Sequence, residues 1–112
     1  MQTRENDAKI IAALNDRLRQ TFTGGKVMTT SGVNELPEAT RARLFAAVQS
    51  FGNFGENNDP YGEHDFGKVV IGGQDFFWKI DYYDHSLNFG SENPADPSIT
   101  TRVLTIMLAS EY

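Results

Sequence analysis

The sequence predicts an α+β domain, and three observations carry that prediction. Apolar residues recur at helical spacing in residues 6–22 and again before residue 52. A Gly72-Gly73 pair sits between two runs rich in β-formers, the signature of a two-residue hairpin. The chain then closes on an apolar segment that follows the helix-start pair Asp96-Pro97. The predicted order is αβαββα: an antiparallel sheet of about three strands, packed by three helices in two layers, in a single domain spanning 1–112.

The first segment, NDAKIIAALNDRLRQTF, spaces Ile10, Leu14 and Leu18 by four, and Ile11 and Phe22 widen the stripe. This predicts an amphipathic helix stopped by Gly24-Gly25. KVMTT follows as a short strand. Pro37 suits the first turn of a second helix, with Glu38 at the positive end of its dipole and Leu44, Val48 and Phe51 on its buried face. Residues 52–62 turn to Gly, Asn, Asp, Glu and Pro, a loop long enough to invite a functional reading.

Folding the hairpin about Gly72-Gly73 sets Ile71 opposite Gln74, Val69 opposite Phe76 and Gly67 opposite Trp78. Those positions share the core face with Ile80 and Tyr82, and Gly67 leaves room for the indole. The other face is mixed: Phe66, Lys68 and Val70 against Asp75, Phe77, Lys79 and Asp81, with Tyr83 beyond. One further step of the register sets His64 beside Asp81. In the last segment, Ile99, Val103, Ile106 and Met107 form one stripe that Leu104 and Leu108 broaden. So wide a stripe predicts a helix buried on most sides, or one shared with a second copy.

With 112 residues and no cysteine, the chain is long enough for one core and cannot use thiolate metal sites, thiol nucleophiles or disulfides. That composition suits a reducing cytoplasm, the expected location. The charged opening, MQTRENDAK, predicts no secretory leader, and no apolar run is long enough to span a bilayer. The net charge of −5 is unevenly spread. Residues 52–97 hold nine acids and two lysines, whereas residues 1–51 hold five acids and seven bases. Direct nucleic-acid binding by that middle segment is disfavoured, because phosphate contacts need Lys and Arg.

Several patterns invite a chemical reading. Counted from Asn57, Asp59 and Gly62 fall at the third and sixth positions of a calcium loop, but the twelfth is Lys68 where a bidentate Glu is required. A looser divalent site on Asp59, Glu63 and Asp65 remains open. TGGK at 23–26 lacks the upstream glycine and the hydroxyl of a phosphate loop. Ser31, Ser86 and Ser91 have no elbow motif. His64 beside Asp81 satisfies the orienting half of an acid–base pair, and equally describes a structural cross-strand pair. Ten of the thirteen aromatics lie between Phe51 and Phe89. Base stacking needs a positive groove that this acidic region lacks, so core packing and a protein-binding patch are the competing roles.

The words NNDPYGEHDFG and FFWKIDYYDHSLNFGSENPADPSITTRVLTIMLASEY, with the opening helix, resemble a family of small uncharacterised proteins. That family belongs to alphaproteobacteria and their plasmids, phages and integrated elements, and is catalogued as a domain of unknown function. The resemblance implies no activity, cofactor or catalytic residue. It implies a setting, since short accessory proteins of mobile elements often counter host defence.

The expectation is therefore a non-enzymatic acidic binding protein, an anti-defence inhibitor of anti-CRISPR type. It would cover a basic nucleic-acid-binding surface of its target, such as a CRISPR effector, through Glu56, Asp59, Tyr61, Glu63, Asp65, Asp75, Phe77, Asp81, Tyr83 and Asp84. No cofactor, metal, membrane or direct nucleic-acid contact is expected. The alternatives are a small hydrolase or metal-dependent enzyme built on His64 and its neighbouring carboxylates, and a regulatory homodimer joined through the last helix.

Overall fold

A computed structural model describes residues 4–112. Residues 1–3, part of the opening stretch expected to be no leader, lie outside the described residues. The chain runs α1 (Arg4–Thr21), β1 (Lys26–Thr29), α2 (Ser31–Asn34), α3 (Glu38–Gln49), β2 (Phe66–Ile71), β3 (Gln74–Tyr83) and β4 (Thr101–Leu108), with a 3-10 turn at Ala109–Glu111. The four strands form one open sheet in the order β1-β4-β3-β2. β2 and β4 both run antiparallel to β3, while β1 runs parallel to β4.

The hairpin register is the one the sequence predicts, with Ile71 opposite Gln74, Val69 opposite Phe76 and Gly67 opposite Trp78. Trp78 is 0% exposed and Ile80 3%, so the alternation places the core face correctly. A Cβ on Gly67 would stand 2.5 Å from Trp78 Nε1 and 2.7 Å from Phe51 Cζ. The glycine is there because the indole and the Phe51 ring fill its space. α1 and α3 pack on each other and on this face, α1 against β4 and α3 against β2. Leu18, Val33, Leu44, Val48, Val69, Phe76, Trp78, Ile80, Leu104 and Ile106 make one continuous core.

The α+β class holds, and the last element is corrected. Residues 101–108 are a strand, so the sheet has four strands and the helices are α1, α2 and α3. Asp96 does accept a bond from the Ser98 N–H at 2.9 Å, as a helix cap would. The turn stops there, and Thr101, Val103, Thr105 and Ile106 carry the chain into an extended run suited to β-branched side chains. Its buried positions alternate as Arg102, Leu104 and Ile106. The broad stripe is thus two faces of a central strand flanked by β1 and β3, and the helix on which the homodimer reading rested is absent. The short α2 was also not anticipated. Gly32 opens its first turn because Leu108 and Glu111 occupy the space of a side chain, and Glu111 accepts from the Gly32 N–H at 3.1 Å.

Candidate functional site

α1 sends polar side chains into the interior along its apolar stripe. Ile11, Asn15, Leu18 and Arg19 are all at most 6% exposed. Asn15 Nδ2 donates to the Glu63 carbonyl at 3.0 Å and to Tyr82 Oη at 2.9 Å. The Tyr82 hydroxyl in turn donates to Glu63 Oε1 at 2.8 Å. On the other side, Arg102 Nε donates to Asn15 Oδ1 at 2.9 Å, and its NH2 donates to the Pro94 carbonyl. Arg102 lies over the Tyr82 ring at 5.3 Å. Burial lowers the Arg102 pKa, and burial likewise pushes the Tyr82 hydroxyl far above its usual range. This chain of bonds draws loop 59–65, β3, β4 and the 91–96 segment together at one end of the sheet.

Arg19 does similar work beneath it. Its NH1 donates to the carbonyls of Val48, Gln49 and Phe51, closing the C-terminus of α3, and its NH2 donates to Asp16 Oδ1 at 2.9 Å. Phe54 and Trp78 each present a ring 5.4 Å from its guanidinium.

His64 is not beside Asp81, as the extended register predicted. The chain turns at His64, where φ is 56°, and β2 begins only at Phe66. Its Nδ1 donates to Asp16 at 2.9 Å, its backbone N–H donates to Asp59 Oδ1 at 3.0 Å, and Nε2 faces Asp59 Oδ2 at 3.7 Å. The ring stacks on Phe54 at 3.9 Å. Both nitrogens thus face carboxylates of the chain itself, and one ring face is covered. This arrangement ties loop 52–65 to α1. Asp81 pairs with Lys79 at 2.7 Å instead.

The predicted contact residues divide into four groups. Asp59 is 8% exposed and committed to His64, so it is removed from any contact surface. Phe77 is half-buried under Tyr112 and beside Phe66, and Asp75 sits at the far end of β3, 3.9 Å from Lys68. These two do not join the others. Glu63, Asp65, Asp81, Tyr83 and Asp84 gather where β3 ends, while Glu56 and Tyr61 are exposed on the loop. Asp65 records this crowding. Burial raises its pKa, and the charges of Glu63, Asp59 and Asp81 add to the shift.

For the divalent-site reading, Asp59 is taken up by His64 and Glu63 by Tyr82, so two of the three carboxylates named for it are already engaged within the chain. Among the described residues no group of three or more His, Cys, Asp or Glu is placed to hold a metal ion. An open cleft of about 990 Å³ lies between the start of α1 and Pro60–Glu63, lined by Asp7, Lys9, Ile11 and Tyr61. No helix among the described residues is long and apolar enough to cross a membrane.

Sequence reasoning missed Asn15, Arg19 and Arg102. The available signal was polar residues at positions 15 and 19, inside a stripe that helical spacing assigns to the core. It also passed over Leu87 and Phe89, which are 45% and 73% exposed.

The fold and this end of the sheet define a small α+β protein with helices on one face of an open mixed sheet and carboxylates gathered at one end. Residues 29–111 match the family model described as "Protein of unknown function (DUF3768)", and the chain belongs to that family. No curated protein and no solved structure matches it.

Proposed function

We propose that this chain is a non-enzymatic binding protein whose acidic end meets a basic surface on another protein. One observation carries this reading. Glu63, Asp65, Asp81, Asp84, Glu92 and Asp96 all lie in or beside the segments converging at the end of β3. Of the nearby cations, Arg102 is buried against Asn15, Lys79 pairs with Asp81 and His64 is held by Asp16, while Lys9 stands exposed across the cleft from Glu63. The surplus negative charge therefore faces outward, where it steers a basic partner and repels nucleic acid. His64 serves here as a structural tie, which favours binding over acid–base chemistry.

The finer reading is an anti-defence inhibitor acting in the cytoplasm, of anti-CRISPR type, that occupies a nucleic-acid-binding groove of its target. It draws on the acidic end together with the mobile-element setting that the sequence resemblance implies. The test is a panel of purified CRISPR effectors, each assayed for DNA binding with and without the chain. Inhibition of at least one effector should weaken between about 50 and about 200 mM salt, beyond the salt effect on DNA binding itself. It should also weaken when Glu92 and Glu56 are both changed to Lys, at unchanged melting temperature. Retention of duplex DNA by the chain itself, or inhibition indifferent to these charges, would refute the proposal.

A further inference from the structure

Residues 84–100 form a cap over the end of β3, and internal bonds fix its shape. The Asp84 N–H donates to the Phe89 carbonyl at 2.8 Å, and the Leu87 N–H returns to the Asp84 carbonyl at 3.0 Å. The Ser86 hydroxyl donates to Asp84 Oδ1 at 2.7 Å. Gly90 pairs with Tyr83, and the Ser91 N–H donates to the Tyr82 carbonyl. His85 Nε2 donates to the Ser98 carbonyl at 2.6 Å, joining the two halves of the cap. Thr100 bonds both Ser91 and the Asn93 carbonyl, and buried Arg102 holds Pro94 from below.

A segment so thoroughly bonded could have turned its apolar side chains inward. It does the reverse. Phe89 is 73% exposed, Leu87 45% and Ile99 40%. Leu87 also has φ of 63°, a left-handed conformation that is unfavourable for residues other than glycine, asparagine and aspartate. The same segment carries Asp84, Glu92 and Asp96, and residues 84–100 contain no Lys or Arg. Hydrogen bonds from Ser86 and Ser98 hold the Asp84 and Asp96 carboxyls below their ordinary range, so these two stay charged under mildly acidic conditions.

We infer that this cap is the contact surface itself, with Phe89, Leu87 and Ile99 as apolar anchors and Asp84, Glu92 and Asp96 as an acidic rim. The partner it fits is a protein surface with an apolar pocket bordered by Lys or Arg. Aromatic anchors ringed by charge give binding energy and steering together, and a turn held in place before binding loses little entropy on docking. A lipid surface would accept the anchors, but an anionic one would repel the rim. The inference rests on the acidic-binder reading and assigns it a location and an apolar component.

The test uses three synthetic peptides, alternating Arg-Leu, Arg-Ser and Glu-Leu, titrated into the full chain and followed by backbone amide shifts. The Arg-Leu peptide should shift residues 84–100 and should bind much more tightly than Arg-Ser, while Glu-Leu should not bind. Phe89→Ala should weaken Arg-Leu binding roughly tenfold or more. Leu87→Gly should also weaken it while preserving the turn, because glycine accepts that φ. Melting temperatures should fall for neither variant, and Met28→Ala, at an exposed apolar residue on β1, should leave binding unchanged. Equal binding of Arg-Leu and Arg-Ser, or shifts confined to residues 56–65, would overturn the cap assignment and leave the acidic-binder reading standing. Failure of every basic peptide would count against both. Phe89-dependent binding to neutral phosphatidylcholine vesicles, with no peptide binding, would replace the protein partner by a lipid surface.

Discussion

At the scale of the residue, the contrast is between Trp78 and Arg19. Both are buried, at 0% and 1% exposure, and their charge and shape complement each other across 5.4 Å. Trp78 was legible because side chains alternate along a strand, so one correct hairpin register fixes every face. Arg19 was not, because helical spacing gives the direction of a side chain but not the carbonyls waiting for it. Those carbonyls belong to Val48, Gln49 and Phe51, about thirty residues further along the chain. Trp78→Ala should cost about 3–5 kcal/mol in a urea unfolding experiment. Arg19→Lys should cost about 2–3 kcal/mol despite keeping the charge, since an ammonium cannot reproduce the planar fork that bonds several carbonyls and stacks on two rings. If the lysine variant unfolds with wild type, the guanidinium does not hold the end of α3 in the way described.

Elements were legible where one signal dominated and misread where two competed. α1 and the hairpin rest on a clear apolar period and a turn-specific glycine pair, and α3 on Pro37 at its start with Leu44 and Val48 four apart on its buried side. The segment 101–108 offered both periods at once. Its apolar residues suit a helix, yet Thr101, Val103, Thr105 and Ile106 suit a strand, and Arg102 on the buried face hid the alternation. Neighbours settled the matter, because β1 and β3 each supply a row of backbone partners that an isolated reading cannot see. The same neighbours explain two glycines differently. Gly67 faces Trp78 and Phe51 at close range, so Gly67→Ala should destabilise by about 1–3 kcal/mol through overpacking against the indole and the Phe51 ring. A methyl group on Gly52 would meet nothing within 4 Å, so Gly52→Ala should be neutral or raise stability by up to about 1 kcal/mol. Thermal melts of the pair provide the comparison, and equal losses at both positions would argue against close packing at Gly67.

For the molecule as a whole, the sequence revealed that the acidity was segregated but not where it would converge. Contact residues drawn from one stretch of sequence, 56–84, proved to be divided between the two ends of β3, while Glu92 and Asp96 joined the crowded end from beyond it. That crowding has a signature in the pH dependence of stability, and Asp65 is the group that reports it. Its folded pKa is raised by burial first and then by the charges of Glu63, Asp59 and Asp81. Ionised Asp65 therefore weakens the fold. Its stabilising, protonated form is fully present below the ordinary value of 3.8 and is lost as pH rises through the raised folded value. Asp84, Asp96 and Glu111 are shifted the other way, chiefly by bonds from Ser86, Ser98 and Thr30. What they contribute is present above their ordinary values and disappears as pH falls through the lowered ones. The two windows are thus on opposite sides of the ordinary carboxylate range. Asp65→Asn keeps the shape and removes the charge, so it should be more stable than wild type at neutral pH. The difference should shrink as pH falls through the raised value and be gone below 3.8, while both proteins share the same loss at still lower pH. Urea midpoints measured across that range test the sign directly. A constant offset between the two proteins, or an asparagine variant weaker at neutral pH, would show that burial and the neighbouring carboxylates together do not raise the Asp65 pKa in the folded state.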